Sequence, residues 1–321
     1  MAEIKKGKRM KRLIQKKIKK TKENLYYILS ALMIGLIVGG IDALFGRVLI
    51  AITDFRGRYI QILIWFLPIA GLFICWMYHR FNEMSLKGMT LVLETAQGKR
   101  ADIPLALVPL VMVGTWITHL FGGSAGREGV AVQIGATLSH WFARRFKFAD
   151  NRTILLIAGM AAGFGGLFQT PFAAVFFAME VVVTGKMLYQ AFLPSLVAAV
   201  TASTFSNALG LEKFAVPLKQ SFNLSESKTM FYMVILGVAF GLTGRVFSVL
   251  LKRAKAFMGE KLANPYKRIG FVSIPLAIIL FAFWNGRYCG LGTNLISQTF
   301  TGGEIFSFDW IIKLLLTVIT L

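Results

Sequence analysis

Gly122-Gly123-Ser124-Ala125-Gly126-Arg127-Glu128-Gly129-Val130-Ala131-Val132-Gln133-Ile134-Gly135 lies between apolar stretches of membrane grade, and its reading decides the fold. It puts flexible backbone, an arginine and a glutamate at a depth where lipid is expected. Irregular backbone at that depth is tolerated only where protein buries it or where it lines a cavity. An ionisable residue there is a functional-site hypothesis by default. The apolar helix before the loop is expected to end near Leu120 and the next to start near Val130. The first amides of the second helix lack an intrahelical acceptor, and the helix dipole adds positive potential. Together these favour an anion. Glu128 is itself anionic and competes for the same amides. Protonation weakens its hold and lets a diffusing anion take its place, a minimal route to anion/proton coupling. The plainer reading of Glu128 is a helix-start residue; apolar sequence on both sides argues against an exposed surface cap. Arg127 is either a neutralising partner or a donor to nearby carbonyls.

Outward from this loop, the chain is 56% hydrophobic over its 321 residues. Apolar runs of spanning or half-spanning length recur at Leu25–Ile52, Tyr59–Tyr78, Ile103–Leu120, Thr153–Phe168, Pro171–Val183, Met187–Leu209, Met230–Leu251 and Ile269–Trp284. A spanning helix needs about 20 such residues. The reading is an all-α polytopic membrane protein. The first run is too long for a signal-peptide core and lacks a small-residue cleavage pattern. Net charge is +21, and eleven of the 36 basic residues fall between Lys5 and Lys22. In a membrane protein this basic segment, residues 1–24, marks the cytoplasmic side rather than a nucleic-acid arm. The basic loop from His79-Arg80 to Lys99-Arg100 then also lies inside, and the nearly neutral 211–227 segment outside. Lys252–Arg268 returns to the inside. Cys75 and Cys289, and His79, His119 and His140, are scattered without a ligand motif, so no metal or other cofactor is expected.

Two parts of the chain resemble each other. LYYILSALMIGLIVGGIDALFGRVLIAI from Leu25 and FYMVILGVAFGLTGRVFSVLLKRAKAF from Phe231 both open on aromatics and reach a Gly-Arg-Val. Each precedes an apolar helix with an internal proline, Pro68 and Pro275. Loop charge gives them opposite orientations, the signature of an inverted repeat with its site at mid-membrane. The first repeat is residues 25–210, the linker 211–227, and the second repeat 228–321. An equal second copy would run about 90 residues past Leu321, so the second repeat is expected to be incomplete, without its own ion-binding loop.

The Gly126-Arg127-Glu128-Gly129 loop closely resembles the signature of the CLC family of anion channels and anion/proton antiporters. Val132-Gln133-Ile134-Gly135, the Ala- and Gly-rich Thr153–Phe168, Gln169-Thr170-Pro171-Phe172-Ala173-Ala174-Val175 and Gly292-Thr293-Asn294-Leu295-Ile296 extend the resemblance over most of the chain. It implies an inverted repeat of tilted and broken helices, a homodimer with one pore per subunit, and a gating role for Glu128. The ion site implied includes Gly126, Arg127, Gly129 and Val130. Three departures point within the family. Met89, in Gly88-Met89-Thr90-Leu91-Val92, stands where the family usually has a chloride-binding serine. Val130 replaces the signature proline. Glu180 is followed by Val181, so the second of two usual glutamates is missing, which leaves Glu180 as a proton-path or structural residue. Together these resemble the fluoride-exporting clade. The expected activity is fluoride/proton antiport in the plasma membrane, with chloride transport or a channel mode as the alternative. Fluoride needs donors that replace water, and methionine offers none; Met89 either narrows the pore, packs the glutamate or fills the core.

A non-transport reading comes from Gly122-Gly123-Ser124-Ala125-Gly126, which fits G-x-S-x-G. That nucleophile elbow needs a strand–turn–helix context, whereas a helix–loop–helix is expected, and neither His119 nor His140 has an evident orienting carboxylate. The chain is therefore not read as an enzyme. Asp42 and Arg47 either pair along the first span or face protein.

Overall fold

The structure, a computed structural model, describes residues 2–146, 152–183, 185–216, 225–282 and 286–320, with side chains from residue 21 onward. Every regular element among them is helical. In chain order these are α1 (Ala2–Leu63), α2 (Leu67–Phe81), α3 (Met89–Ala96), α4 (Leu107–Leu120), α5 (Glu128–Arg145) and α6 (Arg152–Phe168). They continue with α7 (Pro171–Val181), α8 (Phe192–Ala208), α9 (Ser227–Lys261), α10 (Pro265–Ala282), α11 (Thr293–Thr301) and α12 (Asp309–Thr320). Four helical stretches, 21–81, 189–208, 227–261 and 265–282, are long and apolar enough to cross a membrane. Apolar α4, α6 and α7 are shorter, the mark of broken helices.

Most boundaries follow local chemistry. α4 ends at Leu120 as expected, and α5 starts at Glu128, two residues before the expected Val130. Thr170 occupies the N-cap of α7 with Pro171 in its first turn, where the missing N–H costs nothing. One expectation fails. The chain does not reverse between Ile52 and Tyr59; α1 runs through both and is kinked at Tyr59 (φ −122°, ψ 17°). Thr53–Arg58 contains no proline; Thr53 Oγ1 donates to the Leu49 carbonyl and Arg56 Nη1 to the His119 carbonyl, while Asp54 and Arg58 are exposed. The end of the expected 269–284 run and the middle of the 211–227 linker lie outside the described residues.

The chain forms two compact units. The first comprises residues 1–47, 82–112 and 127–213. Its centre is α6, packed on α5, α7 and α8. Every residue from Val130 to Thr137 and from Leu155 to Gly163 is buried, so both are core helices, with Gln133 and Thr137 the polar residues of those two stretches. Small residues set the packing. Ala131, Gly135 and Ser139 repeat at four-residue spacing on α5, and Gly159 and Gly163 do so on α6. A Cβ at Gly135 would come 1.9 Å from the Gly159 oxygen, and one at Gly163 2.0 Å from the Ala131 oxygen. Gly35 and Gly39 of α1 approach Ala198 and Ala202 of α8 in the same way, with 2.7 Å from each Cβ position to a carbonyl oxygen. Such small-residue seams let backbones meet where lipid leaves little hydrophobic drive for association.

The second unit comprises residues 48–81, 113–126 and 214–321. α10 packs on α2 and α12 around Ile64, Leu67, Leu276, Leu280, Tyr288 and Leu316. The turn before α11 is fixed by Asp309, which accepts from Arg287, from the Tyr288 hydroxyl at 2.6 Å and from the Phe306 amide at 3.0 Å.

Candidate functional site

The sequence places Glu128 at a helix start, and the structure makes it the first residue of α5. The residue before it, Arg127, is already in helical conformation and makes no side-chain cap. The first intrahelical bond runs from the Ala131 amide to the Arg127 carbonyl at 3.0 Å. The amides of Glu128, Gly129 and Val130 therefore form the open first turn. Val130 is buried, Gly129 half-buried, and Gly126 and Glu128 exposed. Glu128 is thus an exposed carboxylate at a helix N-terminus.

Of the two roles expected of Arg127, its charge does act together with that of Glu128. Its guanidinium lies 5.4 Å from the Phe168 ring centroid, a cation–π placement. Its Nε is buried with no hydrogen-bond partner among the described residues. Met89 is the first residue of α3, behind Gly88 at φ +50°, and packs half-buried against the core that contains Leu91, Val92 and Val132. Gly88 carries a positive φ that a side chain would strain.

Gln133, which the sequence reading does not single out as a site residue, joins these pieces. Its Nε2 donates to the Gly129 carbonyl at 3.0 Å, and its Oε1 lies 3.4 Å from where a Gly88 Cβ would be. One buried amide is wedged between the glycine before α3 and the first turn of α5. Met89 and Glu128 therefore start two helices that meet through Gln133. The signal was present as a polar residue within an apolar run one turn after Glu128. Glu180 is exposed in the last turn of α7, while the neighbouring Val181 packs on the core.

The remaining expectations resolve as follows. Asp42 faces protein and does not pair with Arg47, which donates instead to the Leu209 carbonyl at 3.0 Å. Asp42 is fully buried against Gly166, and neither carboxylate oxygen has a partner among the described residues. Ser124 lies in a loop between two helices, not on a strand–turn–helix elbow; its oxygen is 3.3 Å from Lys313 Nζ and 3.4 Å from Thr317 Oγ1. His140 does have an orienting carboxylate, contrary to the sequence reading: its Nε2 is 3.1 Å from Asp102 Oδ1, which Arg144 also engages. The 38 residues separating that pair hide it from local inspection. Among the described residues no cluster of His, Cys, Asp and Glu could hold a metal.

The all-helical fold agrees with comparisons to known proteins. The profile of the voltage gated chloride channel family matches residues 70–321. This chain belongs to the CLC family of voltage gated chloride channels. Over 296 residues it is 31% identical to the chloride/fluoride channel protein of Pseudomonas syringae pv. tomato, spanning 90% of this chain and 65% of that one. It is 24% identical over 233 residues to the voltage-gated ClC-type chloride channel ClcB of Salmonella typhimurium, spanning 71% and 55%. The chain thus covers less than two thirds of the length of these curated relatives. Among solved structures, a CLC-type fluoride/proton antiporter superposes with a TM-score of 0.88 at 46% identity, over 93% of this chain and 75% of that one. A slow cyanobacterial chloride/proton antiporter superposes with a TM-score of 0.77 at 21% identity, over 92% and 73%, and shares the CLC fold. A membrane protein with the CLC arrangement of long and broken helices is therefore established on both sequence and structure.

Proposed function

We propose that the chain is the working part of a fluoride/proton antiporter that exports fluoride. The observation that carries this reading is Glu128, an exposed carboxylate at the uncapped first turn of α5. It is an ionisable group placed to compete with an anion for the same amides. Met89 at the start of α3, in place of a hydroxyl, favours fluoride over chloride, as does the 46% identity to a fluoride/proton antiporter. In the exchange cycle, neutralised Glu128 leaves the amides of Gly129 and Val130, an anion takes them, and return of the carboxylate displaces it. Glu180 is assigned a proton-path or structural role. The protein is further assigned to the plasma membrane as a homodimer with a cytoplasmic N-terminus, built from repeats at 25–210 and 228–321.

The test is flux from liposomes, read by fluoride, chloride and pH electrodes in parallel. Fluoride efflux coupled to proton uptake is expected, with Glu128→Gln abolishing proton movement and most fluoride efflux. Proton coupling that survives Glu128→Gln would refute the assignment. Chloride flux equal to or above that of fluoride would select the chloride reading.

A further inference from the structure

The second unit holds two cations around one turn, and among the described residues no carboxylate is among the groups that act on either. Lys313 of α12 donates to the Tyr288 carbonyl at 2.8 Å and to the Gly290 carbonyl at 2.5 Å. Arg56 donates to the His119 carbonyl at 2.8 Å, and its guanidinium lies so close to Gly290 that a Cβ there would be 2.5 Å from Nη1. The charge of Arg56 acts on Lys313, and the other titratable group close enough to act on both is the buried Cys289 thiol. Asp309, four residues before Lys313 on the helix, is engaged by Arg287, Tyr288 and the Phe306 amide. Cations inside membrane protein usually pair with a carboxylate or serve an ion path. Here the first option is not taken among the described residues.

The contacts that remain are loose. The third contact of the Lys313 ammonium is Ser124 Oγ at 3.3 Å. Ser124 Oγ lies 3.4 Å from Thr317 Oγ1, whose own proton goes to the Lys313 carbonyl at 2.7 Å. Good O–H···O bonds are about 2.7–2.8 Å long and N–H···O bonds about 2.9–3.0 Å. One ammonium proton and the Ser124 hydroxyl are thus held only by long contacts, beside uncompensated positive charge. The adjoining residues Gly123 and Val318 line a cavity of about 460 Å³ whose charged lining residues, Lys255 and Arg268, are both basic.

We infer that the Ser124 hydroxyl and the Lys313 ammonium form a second anion-binding site, with Arg56 adding positive charge behind it, and that its ligand is a small, hard anion such as fluoride. This deepens the anion-transport reading and rests on it. A fluoride between the two donors replaces their long mutual contact with two short ones. It also answers the need that Met89 leaves open, since water around fluoride must be replaced by donors from somewhere in the chain. The alternative is that Lys313 only ties α12 to the 286–290 turn.

The experiment uses the purified chain in detergent, with sodium fluoride or sodium chloride titrated against sodium gluconate at constant ionic strength. The readout is the anion-dependent rise in melting temperature, because a ligand that binds the folded state stabilises it. Fluoride is expected to raise the wild-type value, and Ser124→Ala to need about tenfold more fluoride for half the effect, as for a lost hydrogen bond to a charged partner. Lys313→Met is expected to lose the effect; should that variant fail to fold, Ser124→Ala alone decides. Glu128→Gln is expected to keep a Ser124-dependent rise, which separates this site from the loop of the proposed function. A Ser124-dependent rise with chloride and not fluoride would uphold the site and overturn the fluoride reading. Absence of any rise in the wild type, or a titration unchanged by Ser124→Ala and Lys313→Met, would overturn the site itself.

Discussion

Gln133 shows how much one side chain can set at this site. Its amide bonds back one turn to Gly129 and fills the space in front of Gly88, so the first turns of α3 and α5 share a single buried spacer. Gln133→Leu keeps the bulk and removes both polar ends. The lost bond to the Gly129 carbonyl is expected to cost about 1 kcal/mol of stability. The more telling effect is on selectivity: freed from the spacer, Met89 shifts relative to Glu128, and the fluoride-to-chloride flux ratio falls. A ratio that stays at the wild-type value while stability drops would reduce Gln133 to packing. Glu128 stands out in the sequence as a charge in an apolar stretch, whereas Met89 stands out only through the family resemblance, in the place of a serine. Gln133, Lys313 and the Asp102–His140 pair were not legible there. Each gains its meaning from a partner on another element, and residue type alone does not reveal the partner.

At the scale of the element, α5 is held at both ends by different physics. Along its length the contact with α6 is backbone on backbone, and Gly135 is the tightest point. Gly135→Ala would drive a methyl into the Gly159 carbonyl, so α5 and α6 must separate. The expected cost is at least about 1–3 kcal/mol, the usual penalty of overpacking, measured as a lower melting temperature and a smaller folded yield. A stability equal to wild type would mean that the seam is looser than described. At its far end, α5 is tied by Arg144 and His140 to Asp102 in the loop before α4. Burial alone would raise the Asp102 pKa, but the Arg144 hydrogen bond and charge, helped by His140, outweigh it and hold the carboxyl below its usual range. A carboxyl with a depressed pKa in the folded state adds stability above the ordinary carboxylate range, and that contribution fades as pH falls through the lowered value. The melting-temperature gap between wild type and Asp102→Asn is therefore expected to be open at neutral pH and to close below about pH 4. A gap independent of pH would assign Asp102 a purely steric role. The helices themselves were largely readable, since apolar runs bounded by Thr170-Pro171 or by the loop glycines end where caps and breakers require. The exception is Thr53–Arg58, whose charges read as a loop but which stays helical because Arg56 reaches a carbonyl across the fold.

For the whole molecule, the inverted repeat is a claim about sidedness, and sidedness can be measured without any transport assay. Charge places the loop ending at Lys99-Arg100 and the segment Lys252–Arg268 inside, with residues 211–216 outside. Both native cysteines are buried, so a wild-type background is expected to react slowly with a membrane-impermeant maleimide. Lys99→Cys, Glu212→Cys and Lys261→Cys then report one side each in intact cells and in inside-out vesicles. Glu212→Cys is expected to label in cells, and Lys99→Cys and Lys261→Cys only in the vesicles. This outcome requires the segment from α3 to α8 and the helix α9 to end on opposite faces from where each begins, which is what two oppositely oriented copies demand. Labelling of Lys261→Cys in intact cells would place both copies in the same orientation. It would break the inverted-repeat argument while leaving family membership untouched, because that rests on the match over residues 70–321 and not on the internal likeness of the two halves.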